Sequence, residues 1–252
     1  MITISNDAWE IRNISGVVFD KDGTLIDSHI YWGRIIEKRA RSIMGTFYLP
    51  DTFYDNLCLQ MGYSTSSRRL LPEGPIALVG REVVINILCD YLKSINVDTD
   101  EDELSEIFIS THMEFEKEMP KYVHILPGVK NFIQELINHN IKLSLVTSDS
   151  LHLTNQILYQ LKIKEYFEII IGKESTKESK STGVPATKAV EAMKLDPNKV
   201  ICVGDAPVDA IMAKKSGLQA CICITTGQTG QRELQEHSPY IIETMEQLRI
   251  GY

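Results

Sequence analysis

No stretch of this sequence approaches the roughly 20 consecutive apolar residues of a membrane-spanning helix. The opening segment MITISNDAWEIRNIS is polar and lacks the basic-then-apolar order of a signal peptide. A basic face is missing too. Lys and Arg number 26 against 34 Asp and Glu, a net charge of −8, which argues against a nucleic-acid partner. An acidic chain still binds anions where a metal ion or local cations neutralise them, so phosphate compounds stay open as substrates. Cysteine is scarce: Cys58, Cys89, Cys202, Cys221 and Cys223 are odd in number and show no zinc spacing. Cys221 and Cys223 fall on one face of an expected strand and read as small buried hydrophobes. A reducing, cytoplasmic setting is therefore expected. The six histidines are scattered without ligand spacing, and there is no internal repeat.

What is present is an ordinary globular composition, 43% hydrophobic and 24% charged over 252 residues, enough for one large domain or two unequal ones. A β-branched and aromatic run over 15–20 predicts the first strong strand. From residue 29 to about 120 the pattern turns helical, with helices expected over 30–44, 51–60, 81–94 and 100–119. Between them GYSTSSRRLLPEGPIALVGR, rich in Gly, Pro and Ser, reads as loop or short turns. After KYVHILPGVK, strand and helix alternate to the end: strands at IKLSLVT, YFEIIIG, KVICVGD, QACICIT and near Tyr240, helices between them. That alternation implies a parallel sheet covered on both faces. The expected fold is α/β: a Rossmann-like parallel sheet core formed by residues 1–28 and 123–252, with an inserted all-helical cap domain over 29–122.

Open parallel sheets build sites at the carboxyl ends of their strands. Here the first strand runs into GVVFDKDGTLIDS, with Asp20 and Asp22 two positions apart. A buried apolar strand neither needs nor tolerates two such like charges for its stability. A later strand ends at Thr147 and Ser148 in VTSDS, and another at Asp205 and Asp209 in VGDAPVD. Three polar strand ends thus converge on one edge. Strand alternation puts Lys21 on the opposite side from Asp20 and Asp22 and assigns it no role.

Nearly the whole chain resembles the haloacid dehalogenase superfamily, in particular its phosphatases with a helical cap inserted after the first motif. DKDGT resembles that family's first motif, VTSDS its second and GDAPVD its acidic fourth. The third motif is a lysine; Lys180 in KSTGVPATKAV fits its place, with Ser181 where proline is usual, and Lys177 is the alternative. The resemblance implies Mg²⁺ as cofactor and a small phosphate ester as substrate. It makes Asp20 the nucleophile, Asp22 the general acid and base, and Asp20, Asp205 and the Asp22 carbonyl the metal ligands. Thr147, Ser148, Lys180 and Gly23 would surround the phosphoryl group, with Asp209 fixing the loop and Lys180. In the cap, Arg68, Arg69 and Arg81 flank the Gly/Pro-rich loop, and Arg81 is the candidate for a second anionic group on the substrate. His29 stands at the cap hinge.

Three functions compete. A phosphatase acting on a small metabolite, of sugar-phosphate or phosphoglycolate type, leads. A sugar phosphomutase would use the same four motifs. A non-catalytic phosphate-binding or partner protein would need neither Asp20 nor Asp22. The dehalogenase and phosphonate-hydrolase branches of the superfamily lack the second acid, which is present here as Asp22.

Overall fold

The computed structural model describes residues 1–251, the side chains of 77 and 78 excepted, and the chain divides into two compact units. One comprises Met1–Asp27 and Ile125–Tyr252; the other is the insert, Ser28–His124. The chain begins with β1 (Ile2–Ser5), β2 (Glu10–Ile14) and β3 (Gly16–Phe19). The insert carries α1 (Ser28–Thr46), α2 (Tyr54–Gln60), β4 (Tyr63–Ser64), β5 (Arg69–Leu70), α3 (Pro75–Leu78), α4 (Arg81–Ser94) and α5 (Glu101–Glu118). The first unit resumes with α6 (Val129–Asn138), β6 (Lys142–Val146), α7 (Leu151–Leu161), β7 (Phe167–Ile171), α8 (Val184–Met193) and β8 (Val200–Gly204). It finishes with α9 (Pro207–Lys215), β9 (Ala220–Ile224), α10 (Gln231–Gln235), β10 (Tyr240–Ile242) and β11 (Arg249–Gly251).

The main sheet has six strands in the order β10-β9-β8-β3-β6-β7, every pair parallel. β3 lies at its centre, between β8 and β6. All four of its residues are buried, so it reads as a continuous apolar run rather than an alternating one. Phe19 meets Phe132 of α6 and Phe167 of β7 edge-on, each at 6.2 Å between centroids. This packing fixes the strand end from which Asp20 emerges. All five cysteines are free and buried; Cys221 and Cys223 lie together on β9 with their sulfurs 3.9 Å apart.

The polar N-terminal segment forms two strands, for which the sequence carries no strand expectation. β1 pairs with β2 and with β11 in an antiparallel three-stranded sheet, Ile4 standing opposite both Ile11 and Ile250. Ile2 and Ile4 are buried while Thr3 and Ser5 are less so, an alternation only four residues long. Too short to stand alone, it is completed by a strand from the other end of the chain.

Within the insert, Ile36 and Ile43 of α1 pack with Leu57 of α2, Leu88 of α4 and Leu104 and Phe108 of α5 in one apolar cluster. Asp100 caps α5, its carboxylate accepting from Glu103 N at 2.9 Å, and three acids fill the first turn. The insert is helical with one departure. β4 and β5 form a small antiparallel ladder, Tyr63 opposite Leu70, where the sequence predicts only turns. His29 is taken up by this hairpin: its Nδ1 lies 3.0 Å from Leu70 N and its Nε2 2.8 Å from the Arg69 guanidinium. Two residues per strand leave no periodicity to read.

Candidate active site

The carboxyl ends of β3, β6 and β8, three adjacent strands, carry the polar residues. Asp20 extends the parallel ladder by one residue, its N donating to Val203 O at 2.9 Å. The chain then turns sharply. The Lys21 carbonyl accepts from Leu25 N and Ile26 N, Gly23 N donates to Ile26 O, and Gly23 takes φ +79°. Only glycine adopts that conformation without strain. A side chain at Gly23 would also strike the Asp205 carboxylate.

Asp20, Asp205 and Asp209 are all buried, and each offers a carboxylate oxygen within 4.8 Å of the others. Lys180 Nζ donates to Asp20 Oδ1 and, at 2.8 Å, to Asp209 Oδ1. Lys180, not the exposed Lys177, therefore reaches Asp20. Burial works against the Lys180 charge, but the two carboxylates outweigh it and hold the ammonium above its usual value. Burial, then the charges of Asp20 and Asp209, push Asp205 well above the ordinary carboxylate range, with Lys180 opposing. Burial also lifts Asp209 to about 6 against the pull of Lys180. Three clustered carboxylates face one ammonium. This surplus of hard oxygen charge suits a hard divalent cation, which would relieve the repulsion that raises Asp205.

Helix α9 explains how Asp209 is held. Pro207 opens the helix, and Asp209 reaches back so that its Oδ2 accepts from Ala206 N at 3.2 Å. Its two oxygens thus fix the loop after β8 and Lys180 together. Thr24, fully buried, donates from Oγ1 to Asp205 Oδ1 at 3.4 Å. Thr147 is buried at the end of β6 and its Oγ1 accepts from Asp149 N at 3.2 Å. Ser148 is exposed. Arg81 is exposed at the first residue of α4, within the insert.

Lys21 corrects the sequence reading. Its side chain is fully buried, and its Nζ lies 2.9 Å from both oxygens of Asp22 and 2.8 Å from Asp149 Oδ2. The alternation argument fails because β3 ends at Phe19, and beyond it the loop, not the pleat, aims the side chains. Burial lifts Asp22 to about 6, with Lys21 opposing and Asp149 and Asp20 adding to the rise. Asp149, in VTSDS, carries no assignment from the sequence. Gly227 was also missed: a side chain there would drive into the Asp205 carboxylate, so bare backbone walls the cluster on this side as at Gly23. Its signal was the Gly-rich TTGQTG after β9.

A parallel sheet with an acid pair after its central strand, a lysine beside it and a further acid after the neighbouring strand define a class, and the family comparison agrees. The chain belongs to the haloacid dehalogenase-like hydrolases, whose family model matches residues 14–217. It is 26% identical over 236 residues to the "Putative pyrophosphatase PpaX" of Caldanaerobacter subterraneus, covering 93% of each chain. It is 24% identical to the phosphoglycolate phosphatase of Nitrosococcus oceani, over 88% of this chain and 89% of that one. Among solved structures, a predicted phosphoglycolate phosphatase from Haemophilus somnus superposes with a TM-score of 0.74 at 21% identity, covering 93% and 96% of the two chains. Among the described residues, no helix is long and apolar enough to cross a membrane.

Proposed function

We propose that the protein is a Mg²⁺-dependent phosphatase that hydrolyses a small phosphorylated metabolite through an aspartyl-phosphate on Asp20. The observation that carries this reading is Asp20 held by Lys180 beside the separately positioned acid Asp22. In the first step an Asp20 oxygen bonds to phosphorus as the ester P–O bond breaks, and Asp22 gives its proton to the leaving oxygen. In the second, water attacks phosphorus, its proton passes to Asp22, and the bond from phosphorus to Asp20 breaks, restoring the carboxylate. Two easier displacements replace one difficult one.

Lys180 neutralises Asp20 as phosphate approaches and orients the attacking oxygen. Asp20, Asp205 and the Asp22 carbonyl would hold Mg²⁺, and Asp209 keeps Lys180 in place. The cation, when bound, would offset the charge of the carboxylates and of the incoming phosphate. The Thr147 hydroxyl, whose oxygen accepts from Asp149 N, keeps its proton free to donate to a phosphoryl oxygen.

A substrate panel with Mg²⁺ tests the proposal: 2-phosphoglycolate, several sugar phosphates and inorganic pyrophosphate, the last because relatives bear both phosphatase and pyrophosphatase names. Free phosphate released from a monoester without a bisphosphate activator is expected. Isomerised sugar phosphate that appears only with such an activator would make the protein a mutase instead. Phosphate binding without turnover of any compound would overturn the catalytic reading.

A further inference from the structure

Lys21 sits between the two acids of the first loop, and a lysine there is costly. Its ammonium is removed from water, and one carboxylate partner comes from each of two loops, after β3 and after β6. Lys21 is fully buried between two partly exposed carboxylates, and replacing a largely buried ion cluster by apolar side chains is often neutral or stabilising, so stability alone does not account for it. Geometry does. The Nζ engages both Asp22 oxygens at 2.9 Å and anchors them to Asp149 at 2.8 Å. Asp149 is itself pinned, its N donating to Thr147 Oγ1 and its carbonyl accepting from Lys173 N at 2.8 Å.

We propose that Lys21 is a positioning residue that clamps the Asp22 carboxyl group, through Asp149, in the orientation from which it serves the leaving oxygen. The inference rests on the phosphatase reading above. When Asp22 carries its proton, one oxygen stays on the ammonium and the other presents its O–H. When it is ionised, both oxygens return to the ammonium and the carboxylate keeps its place for the incoming water. Lys21 transfers no proton and acts on the leaving oxygen only through the Asp22 carboxyl it holds. Without it, Asp22 stands near Asp20 and Asp149 with no cation to hold it, and it rotates away.

The test compares kcat/KM, which reports the steps up to formation of the phosphorylated enzyme, for a simple alkyl phosphate and for p-nitrophenyl phosphate, both with Mg²⁺. An activated aryl oxygen leaves with little protonation, so its rate depends less on where Asp22 points. Lys21→Met, similar in length and apolar, is expected to lower the alkyl value ~100-fold and the aryl value ~10-fold, since small misplacements of a catalytic group cost about that much. Asp149→Asn should shift the ratio the same way but less. The double variant should be little worse than Lys21→Met alone, because both changes break one clamp.

An equal fall for the two esters, or additive losses in the double variant, overturns the positioning role. Should Lys21→Met not fold, Asp149→Asn decides alone, and an unchanged ratio there overturns it. Wild-type protein that turns over neither ester overturns the phosphatase reading and the role of Lys21 with it. Wild-type turnover with an unshifted ratio removes only the latter.

Discussion

Lys180 and Asp209, 29 positions apart in the chain, are joined directly: the ammonium donates to Asp209 Oδ1 at 2.8 Å while the other Asp209 oxygen holds Ala206 N. Asp209→Asn keeps the shape but weakens the grip on Lys180. Turnover should fall about 10- to 100-fold, as for other groups that orient a site from behind. Thermal stability should change little, since Lys180 retains Asp20 and the cluster loses one repelling charge. A thermal melt beside the rate assay checks this; equal losses in both would make Asp209 merely structural.

Asp20→Asn should abolish turnover and leave the fold intact. The substitution is nearly isosteric and removes a charge from a crowded strand end. Mass spectrometry of acid-quenched enzyme should show one added phosphoryl group on wild type and none on the variant. Activity near wild type, in protein free of deamidated side chain, would exclude the covalent route.

Mg²⁺ should raise the melting temperature, because a ligand that binds only the folded state stabilises it in proportion to its saturation. Asp205→Asn leaves an oxygen in place but removes its charge, and Mg²⁺ gives up water reluctantly without carboxylates. The variant should therefore lose the Mg²⁺-dependent shift while melting, in chelator, near or above wild type. Full activity of wild type in excess chelator would take the metal out of the reaction.

Gly227→Ala tests the bare backbone beside Asp205, where a methyl group would collide with the carboxylate. Displacement of that side chain should raise the Mg²⁺ concentration needed for half-maximal rate roughly tenfold, an effect of the size seen when ligand orientation is disturbed. An unchanged Mg²⁺ requirement would show that the loop yields instead.

Arg39 lies in the insert, 3% exposed, with its guanidinium carbon 4.0 Å from the Phe108 ring centroid. Among the described residues no carboxylate pairs with it, and burial, aided by the charge of Arg81, lowers it to about 9 against the pull of Tyr31. Arg39→Met keeps apolar contact with the ring without a desolvated charge. Stability should rise by about 1 kcal/mol, in the direction found when buried ions give way to apolar residues. Chemical denaturation measures it. A clear loss would mean that the cation over the ring stabilises the insert by more than its burial costs.

The sequence by itself determined the alternating α/β order, the helical insert after the first strong strand, and the polar ends of β3, β6 and β8. Apolar runs, turn residues and strand-end acids are local signals, and a parallel sheet converts them into a shared edge without further information. Asp20, Asp22, Asp205 and Asp209 were legible for that reason. Lys180 was placed only by the family resemblance, with Lys177 as the alternative, because both lie in one charged stretch; the packing of that segment against α9 brings Lys180 inward to Asp20. Tertiary structure alone decided where the Lys21 side chain points. Its partner Asp149 is 128 positions away, and its direction is set by a loop whose geometry depends on Gly23, Thr24 and Ile26 closing on it. The three-stranded sheet of β1, β2 and β11 escaped for the same physical reason: strands this short are stabilised by pairing across the length of the chain, and no periodicity within a window of sequence records that partner.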